Sequence, residues 1–290
     1  MQPVAVITRF NLAVRYRYEK LYKNVPKDHF LWLDEEYLGK RFALFDRYTF
    51  PSFQAQTDRD FRWIVLFHKE TPARFRAQIE KYKEELPQFE PWFLDDEESD
   101  RFADLLNADF EKRYGERGLI SVRVDNDDAV HASFIETIKR GMGDVTETSI
   151  LSFPNGLQYD ARSCRCMRYN YENNHFIAFY APPGEKRHVL SFQHPDADKF
   201  VDKKHKIVLK TRIPLWVEIV SETNCVNTIW MRPSKVFIPY AVKEEYPVLT
   251  LRWSTKPGWI LSMAGYLPVA FVKMFADVCR LLMIHMKRKQ

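Results

Sequence analysis

Asp125-Asn126-Asp127-Asp128 follows the apolar run Leu119–Val124 with no turn between them. A divalent cation that prefers hard oxygen ligands needs several carboxylates within a few ångströms of one another. Asp-x-Asp at a strand end meets that need, because an extended backbone sends alternate side chains to the same side. A cation held in this way bridges the oxygens of a diphosphate and neutralises charge on a leaving group. Asp125, Asp127 and Asp128 are therefore the candidate metal ligands, with Mn²⁺ or Mg²⁺ as the candidate ion. The same short pattern also occurs in plain surface turns. An EF-hand is excluded, since Ala129-Val130 stands where that loop requires glycine and polar ligands. P-loop and Rossmann fingerprints are excluded as well, because their glycine-rich turns are missing.

The elements that must position such a cluster are legible as apolar runs. Val4-Ala5-Val6-Ile7 ends in Thr8-Arg9, Trp63–Phe67 ends at His68, and Leu119–Val124 ends at Asp125. Each reads as a strand of a parallel sheet buried on both faces. Thr71-Pro72 offers an N-cap and an N1 proline to a helix that places Phe75, Ile79 and Tyr82 on one face. Ser133–Arg140 reads as a short helix, and the charged stretch Leu94–Asp104 as a solvated helix start. Strand–helix–strand repetition predicts an α/β fold with a mixed, mostly parallel sheet flanked by helices. Ligands of such sheets bind outside the carboxyl ends of the strands, so Arg9, His68 and Asp125 should line one cleft.

The second half is less regular. Ile150–Phe153 reads as a strand followed by a turn at Pro154-Asn155-Gly156, and Val208–Leu215 and Trp216–Val220 carry further strand-like runs. Arg232–Lys256 is punctuated by proline, and Pro268 opens a helical pattern that continues to Lys289.

The 290 residues are 46% hydrophobic and 29% charged, enough apolar material for one large α/β domain or two small ones. A formal net charge of +5, with no arginine stripe interleaved with aromatics, argues against nucleic acid as a partner. Cys164, Cys166, Cys225 and Cys279 lack zinc-site spacing and read as free thiols in a reducing compartment. No signal peptide precedes the first strand, and no apolar run approaches the roughly 20 residues a membrane span needs. A cytoplasmic location follows as the expectation.

Four segments carry a resemblance to a known family. They are Thr8-Arg9-Phe10-Asn11; Tyr48-Thr49-Phe50-Pro51-Ser52 through Gln54-Ala55-Gln56-Thr57 to Phe61-Arg62-Trp63; Thr71-Pro72; and Arg123-Val124-Asp125-Asn126-Asp127-Asp128-Ala129. Trp216–Val220 with Asn224 and Asn227 is a fainter fifth. In this order they resemble the rhamnosyltransferases of bacterial polysaccharide loci, which are GT-A-like glycosyltransferases. The resemblance implies a nucleotide-sugar donor (dTDP-rhamnose or a UDP-sugar), a divalent metal, and a saccharide or lipid-linked acceptor. It implies a catalytic domain over residues 1–230, with a nucleotide-sugar half to about 130 and an acceptor half after it. Residues 231–290 then form a C-terminal extension. Thr8, Arg9, Arg123 and Asp125 become the donor-binding candidates, the arginines through bidentate contact with phosphate. One departure stands out. Where a histidine and a glycine are expected before Asn224, this chain has Ser221-Glu222-Thr223, which leaves Glu222 or His194 to complete a metal shell.

An inverting transfer also needs a carboxylate to accept the proton of the acceptor hydroxyl. Asp198, Glu218 and Glu222 are the candidates. Glu218 lies in an apolar strand, where burial would strengthen it as a base, although period-2 alternation equally allows it to face outward. The rival classes are a catalytically inactive nucleotide-sugar or saccharide-binding module on the same fold, and a metal-dependent phosphodiesterase. The latter is disfavoured because the eight histidines show no tight pairing. Residues 268–289 form an amphipathic pattern ending in Lys287-Arg288-Lys289, which suits a docked helix or a peripheral contact with the inner face of a membrane.

Overall fold

The computed structural model describes residues 2–13, 31–162, 164–222 and 246–249. The expected helix over 268–289, the proline-punctuated stretch apart from 246–249, Asn224, Asn227, Cys225 and Cys279 lie outside the described residues. Two compact units are present: 1–156 with 170–217, and 157–169 with 218–290.

The first unit begins with β1 (Val4–Arg9), then helix α1 (Glu35–Leu44), a π-helical stretch (Phe45–Thr49) and the short α2 (Phe50–Gln54). β2 (Arg62–His68), α3 (Ala73–Glu85), β3 (Phe89–Leu94), α4 (Asp96–Asp100), α5 (Phe102–Tyr114) and β4 (Leu119–Arg123) follow. After the acidic cluster come β5 (Ala129–Val130), α6 (Phe134–Gly141) and β6 (Ser149–Ser152). The remaining strands are β7 (Asn155–Asp160), β8 (Arg165–Asn170), β9 (Ala178–Ala181), β10 (Lys206–Val208) and β11 (Trp216–Val220), with the short α7 (Ala197–Phe200) before β10.

Seven strands form one sheet in the order β10-β6-β9-β4-β1-β2-β3. β1 pairs in parallel with β2 and β4, β2 with β3, and β6 with β10, whereas β9 runs antiparallel to both its neighbours. This is the expected α/β class. The three strands read from their apolar runs are adjacent and parallel, so Arg9, His68 and Asp125 share one end of the sheet.

Alternation along β2 separates two cores. Ile64 and Leu66 join Leu106 and Phe110 of α5 on one face. Trp63 and Phe67 enter an aromatic layer on the other, where Phe53 stacks on Trp63 at 4.0 Å and Phe42 on Phe75 at 4.6 Å. In α1 the buried residues are Leu38, Arg41 and Phe42, the spacing of one helical face. Phe42 is held by Phe10 at 4.4 Å as well as by Phe75, which fixes the helix rotation and so the direction of Arg41. Asp34 caps α1 by accepting the Tyr37 N–H at 2.7 Å.

Two local expectations are corrected. Thr71 does not cap α3, because its hydroxyl donates to His68 O at 2.6 Å, and the helix starts after Pro72. Pro154-Asn155-Gly156 is not a turn, since Asn155 already opens β7. Gly156 is required there by packing: a Cβ would lie 2.2 Å from the Trp216 ring. The Leu94–Asp104 stretch is a helix start as expected, with Asp95 and Glu98 forming a reciprocal capping box.

In the second unit, β7 lies between β11 and β8, and Ala161 N–H donates to Val220 O at 2.9 Å. No helix among the described residues is long and apolar enough to cross a membrane.

Candidate active site

The backbone leaves β4 at Arg123 and turns at once, with Asp128 N–H donating to Asp125 O at 3.2 Å. Asn126, Asp127 and Asp128 are buried by this turn, and Asp125 is half-buried. Four buried or half-buried polar groups in one turn need partners, and each finds one from a different part of the first unit.

Arg123 grips Asp125 through two hydrogen bonds, Nε to Oδ1 at 3.1 Å and Nη2 to Oδ2 at 2.8 Å. Burial opposes the charge of Asp125, but the Arg123 guanidinium, His175 and Arg9 outweigh it and hold the carboxyl well below its usual range. Arg41 reaches in from α1, donating Nη1 to Asp127 Oδ2 at 2.9 Å and Nη2 to Asn126 Oδ1. Asn126 also donates to Phe10 O at 3.3 Å.

Asp128 meets His175, whose Nε2 lies 2.7 Å from its Oδ2. Burial pushes the Asp128 carboxyl up to about 7, with His175 opposing and Asp127 and Asp125 adding to the rise. Burial by itself would lower His175, but the Asp128 hydrogen bond and the Asp128 and Asp125 charges leave it above its ordinary value. Asp125, Asp128 and His175 offer ligand atoms that all lie within 4.8 Å of one another. Two carboxylates and an imidazole are a donor set suited to a divalent cation such as Mn²⁺.

The other nominated residues sit as follows. Thr8 is fully buried, accepting the Trp63 indole N–H at 2.9 Å and donating to Val124 O at 2.8 Å, so it ties β1 to the start of the acidic turn. Arg9 ends β1, close enough for its charge to act on Asp125. His194 stands 5.8 Å from His175, ring centre to ring centre, with Nδ1 2.5 Å from Asn173 O. Burial lowers His194 to about 4. Asp198 is exposed and held by Asn173 Nδ2 at 2.9 Å and by Lys206. Glu218 and Glu222 belong to the second unit. Glu218 is buried in β11, where Gln158 Nε2 donates to it at 2.8 Å, and Glu222 is exposed.

Arg41 and His175 were not nominated from the sequence. Arg41 had one usable signal: with Leu38 and Phe42 it makes an i, i+3, i+4 face on which an arginine would be buried. His175, 47 residues beyond Asp128, had none.

The phrase around Gln56 also acquires a reason. Gln56 Nε2 donates to His131 O at 2.8 Å, and its Oε1 accepts the Ile135 N–H at 3.1 Å. Lys139 of α6, buried, pairs with Asp58 at 2.9 Å and Asp60 at 3.1 Å. The segment before β2 thus clamps the chain that leaves the acidic turn.

Fold and site together define an α/β protein with a carboxylate–histidine group at the carboxyl end of a parallel strand. The chain belongs to the family described as "Putative rhamnosyl transferase", which matches residues 3–232. No curated protein matches the sequence. Among solved structures, it is similar to S. aureus TarS 1–349 in complex with UDP, at 12% identity and a TM-score of 0.42, over 76% of this chain and 61% of that one. It is also similar to a "putative nucleotide-diphospho-sugar transferase" from Desulfovibrio desulfuricans G20, at 12% identity and a TM-score of 0.31, over 76% and 82% of the two chains. The chain thus spans 61% of the length of the TarS chain it matches.

Proposed function

We propose that this protein is a glycosyltransferase that moves a sugar from a nucleotide-diphosphate donor to a saccharide or lipid-linked acceptor. Family membership supports the reaction class, and rhamnose from dTDP-rhamnose is the donor sugar it favours, with a UDP-sugar as the alternative. The observation that carries the reading is the gathering of Asp125, Asp128 and His175 at the end of β4. These three residues would hold Mn²⁺ or Mg²⁺. When bound, the ion would supply charge neutralisation on the diphosphate leaving group.

The chain's own residues prepare that site. Arg123 and Arg41 keep the acidic turn compact, and with Arg9 they put positive charge beside the place a diphosphate would occupy. Asp127, engaged by Arg41, shapes the turn and lies outside the group of three candidate ligands. The proton of the acceptor hydroxyl is assigned to Glu218, a buried carboxylate, with Asp198 and Glu222 as alternatives. The histidine missing before Asn224 would favour an inactive binding module on the same fold. His175 beside Asp128 supports the active reading in its place.

The test is hydrolysis and transfer with dTDP-rhamnose and UDP-glucose, with and without manganese. Manganese-dependent release of nucleoside diphosphate is the expected result. Neither donor being bound or turned over in the presence of manganese would refute the proposal.

A further inference from the structure

Among the described residues, the large hydrophobic side chains that stand exposed are Tyr171, at 36%, and Ile213, at 38%. The other aromatic side chains among the described residues are buried or half-buried, which sets Tyr171 apart as an aromatic surface open to a ligand. Tyr171 is followed at once by a set of polar groups drawn from three elements. Its ring meets His194 edge to face, with centres 6.4 Å apart, and His194 in turn meets His175 at 5.8 Å. His175 holds Asp128. Two ring-to-ring steps therefore join the exposed tyrosine to the carboxylate–histidine group.

The floor beside Tyr171 is built and braced. Lys206 at the start of β10 donates to Asn173 Oδ1 at 2.8 Å and pairs with Glu172 at 2.7 Å and with Asp198. Asn173 Nδ2 donates to Asp198 Oδ2 at 2.9 Å. Lys206 is almost covered by these partners, whereas the Glu172 and Asp198 side chains remain 51% and 58% exposed. Each carboxylate thus keeps oxygen lone pairs facing water. On His194, a carbonyl can only accept, so Nδ1 carries the hydrogen that bonds Asn173 O and Nε2 is left as an acceptor.

We propose that Tyr171, His194, Glu172 and Asp198 form the subsite for the acceptor saccharide. The inference rests on the glycosyltransferase reading and names the second substrate's place in it. A sugar ring has an apolar C–H face and a belt of hydroxyl groups. Tyr171 offers a rigid aromatic surface with few rotamers to immobilise, and the carboxylates and His194 Nε2 offer acceptors for hydroxyl protons. The Lys206–Asn173 brace keeps those acceptors in place before the sugar arrives, which lowers the ordering cost of binding. An aromatic face flanked by acceptors of this kind selects a neutral, hydroxyl-rich ring over an anionic one.

Saturation-transfer difference NMR on the full chain tests the proposal, with methyl α-L-rhamnopyranoside and methyl β-D-glucopyranoside as probes. At least one probe should receive saturation from the wild-type protein. Tyr171→Ala should cut that transfer at least fivefold, and Asp198→Asn at least twofold. Ile213→Ala, which removes the other exposed hydrophobic, should leave it unchanged. Calorimetric binding of UDP with manganese should be the same in Tyr171→Ala as in wild type. Absence of transfer to either probe, or equal transfer in wild type and Tyr171→Ala, would overturn the subsite. Loss of UDP binding in the wild type alone would count against the parent reading, while a Tyr171-dependent sugar signal would still stand.

Discussion

Arg41 and Asp127 are 86 residues apart in sequence and 2.9 Å apart in the fold, and both are nearly excluded from water. The pair joins the first helix to the acidic turn. Desolvation opposes the Arg41 charge, yet Asp127 and its neighbours outweigh that effect and hold the guanidinium above its usual value. Truncating one partner of such a pair leaves the other charge buried and uncompensated, at a cost of about 3–5 kcal/mol. Arg41→Ala should therefore lower the unfolding free energy by that order, and Arg41→Ala with Asp127→Ala should cost less than the two single changes combined. Urea denaturation of the double-mutant cycle measures it. A cycle that adds up without coupling would deny the pair its role.

The metal assignment makes a separate demand. His175→Ala and Asp128→Asn should each weaken Mn²⁺ binding at least tenfold, because each removes one of three gathered ligands. Chelation with EDTA should abolish turnover, and added manganese should restore it. The electron paramagnetic resonance signal of free Mn²⁺, titrated with protein, reads the affinity directly. Unaltered affinity in both variants would move the cation elsewhere.

Glu218 is held by the Gln158 side-chain amide in β7, an arrangement that Glu218→Gln can preserve by rotating its own amide. The substitution should thus leave the fold intact. If Glu218 accepts the proton, turnover falls by about 10² to 10⁴ with donor affinity nearly unchanged. Steady-state kinetics beside calorimetry with UDP separates the two quantities. Turnover close to wild type would pass the role to Asp198 or Glu222.

A pH dependence of stability follows from His188. It is buried, accepts the Leu190 N–H on Nδ1 at 3.1 Å, and faces Ala103 O with Nε2 at 3.4 Å. Burial lowers it from 6.5 to about 4, because a proton on Nδ1 would both charge a buried ring and break the Leu190 bond. The native value lies below the unfolded one, so the unfolded chain binds the proton more readily. The stabilisation is whole above about pH 6.5 and is lost as pH falls toward 4, on the order of 3 kcal/mol in all. Urea midpoints at pH 7.5 and 4.5 should lie closer together in His188→Gln than in wild type. Identical acid losses in the two proteins would exclude His188 as a source.

Much of the frame was open to reading from one sequence. The β1, β2 and β4 runs are continuous and apolar because parallel central strands are covered on both faces, and that environment leaves a local mark. The acidic turn was visible for the same reason, as a sudden change of residue type at the end of such a run. β3 was not legible. Its Pro91 argues against a strand, but β3 is the last in the sheet, where the missing N–H has no partner to lose. β9, four residues long and antiparallel between β4 and β6, left too short a pattern to be read.

The partners of Thr8 and the meeting of Asp128 with His175 depended on distances that no spacing in the chain encodes. Thr8 sits at a strand end, as a binding residue should, yet its hydroxyl is committed to Val124 and Trp63 inside the core. Residue type and motif order alone marked out the family, the carboxylates and the strand ends on which they stand. Only the tertiary structure brought in His175, from the loop before β9, and Arg41, from a helix laid over the aromatic layer. Periodicity reports whether a residue faces a core. It does not report which distant residue it meets there, since that is set by how sheet and helices pack after each has formed.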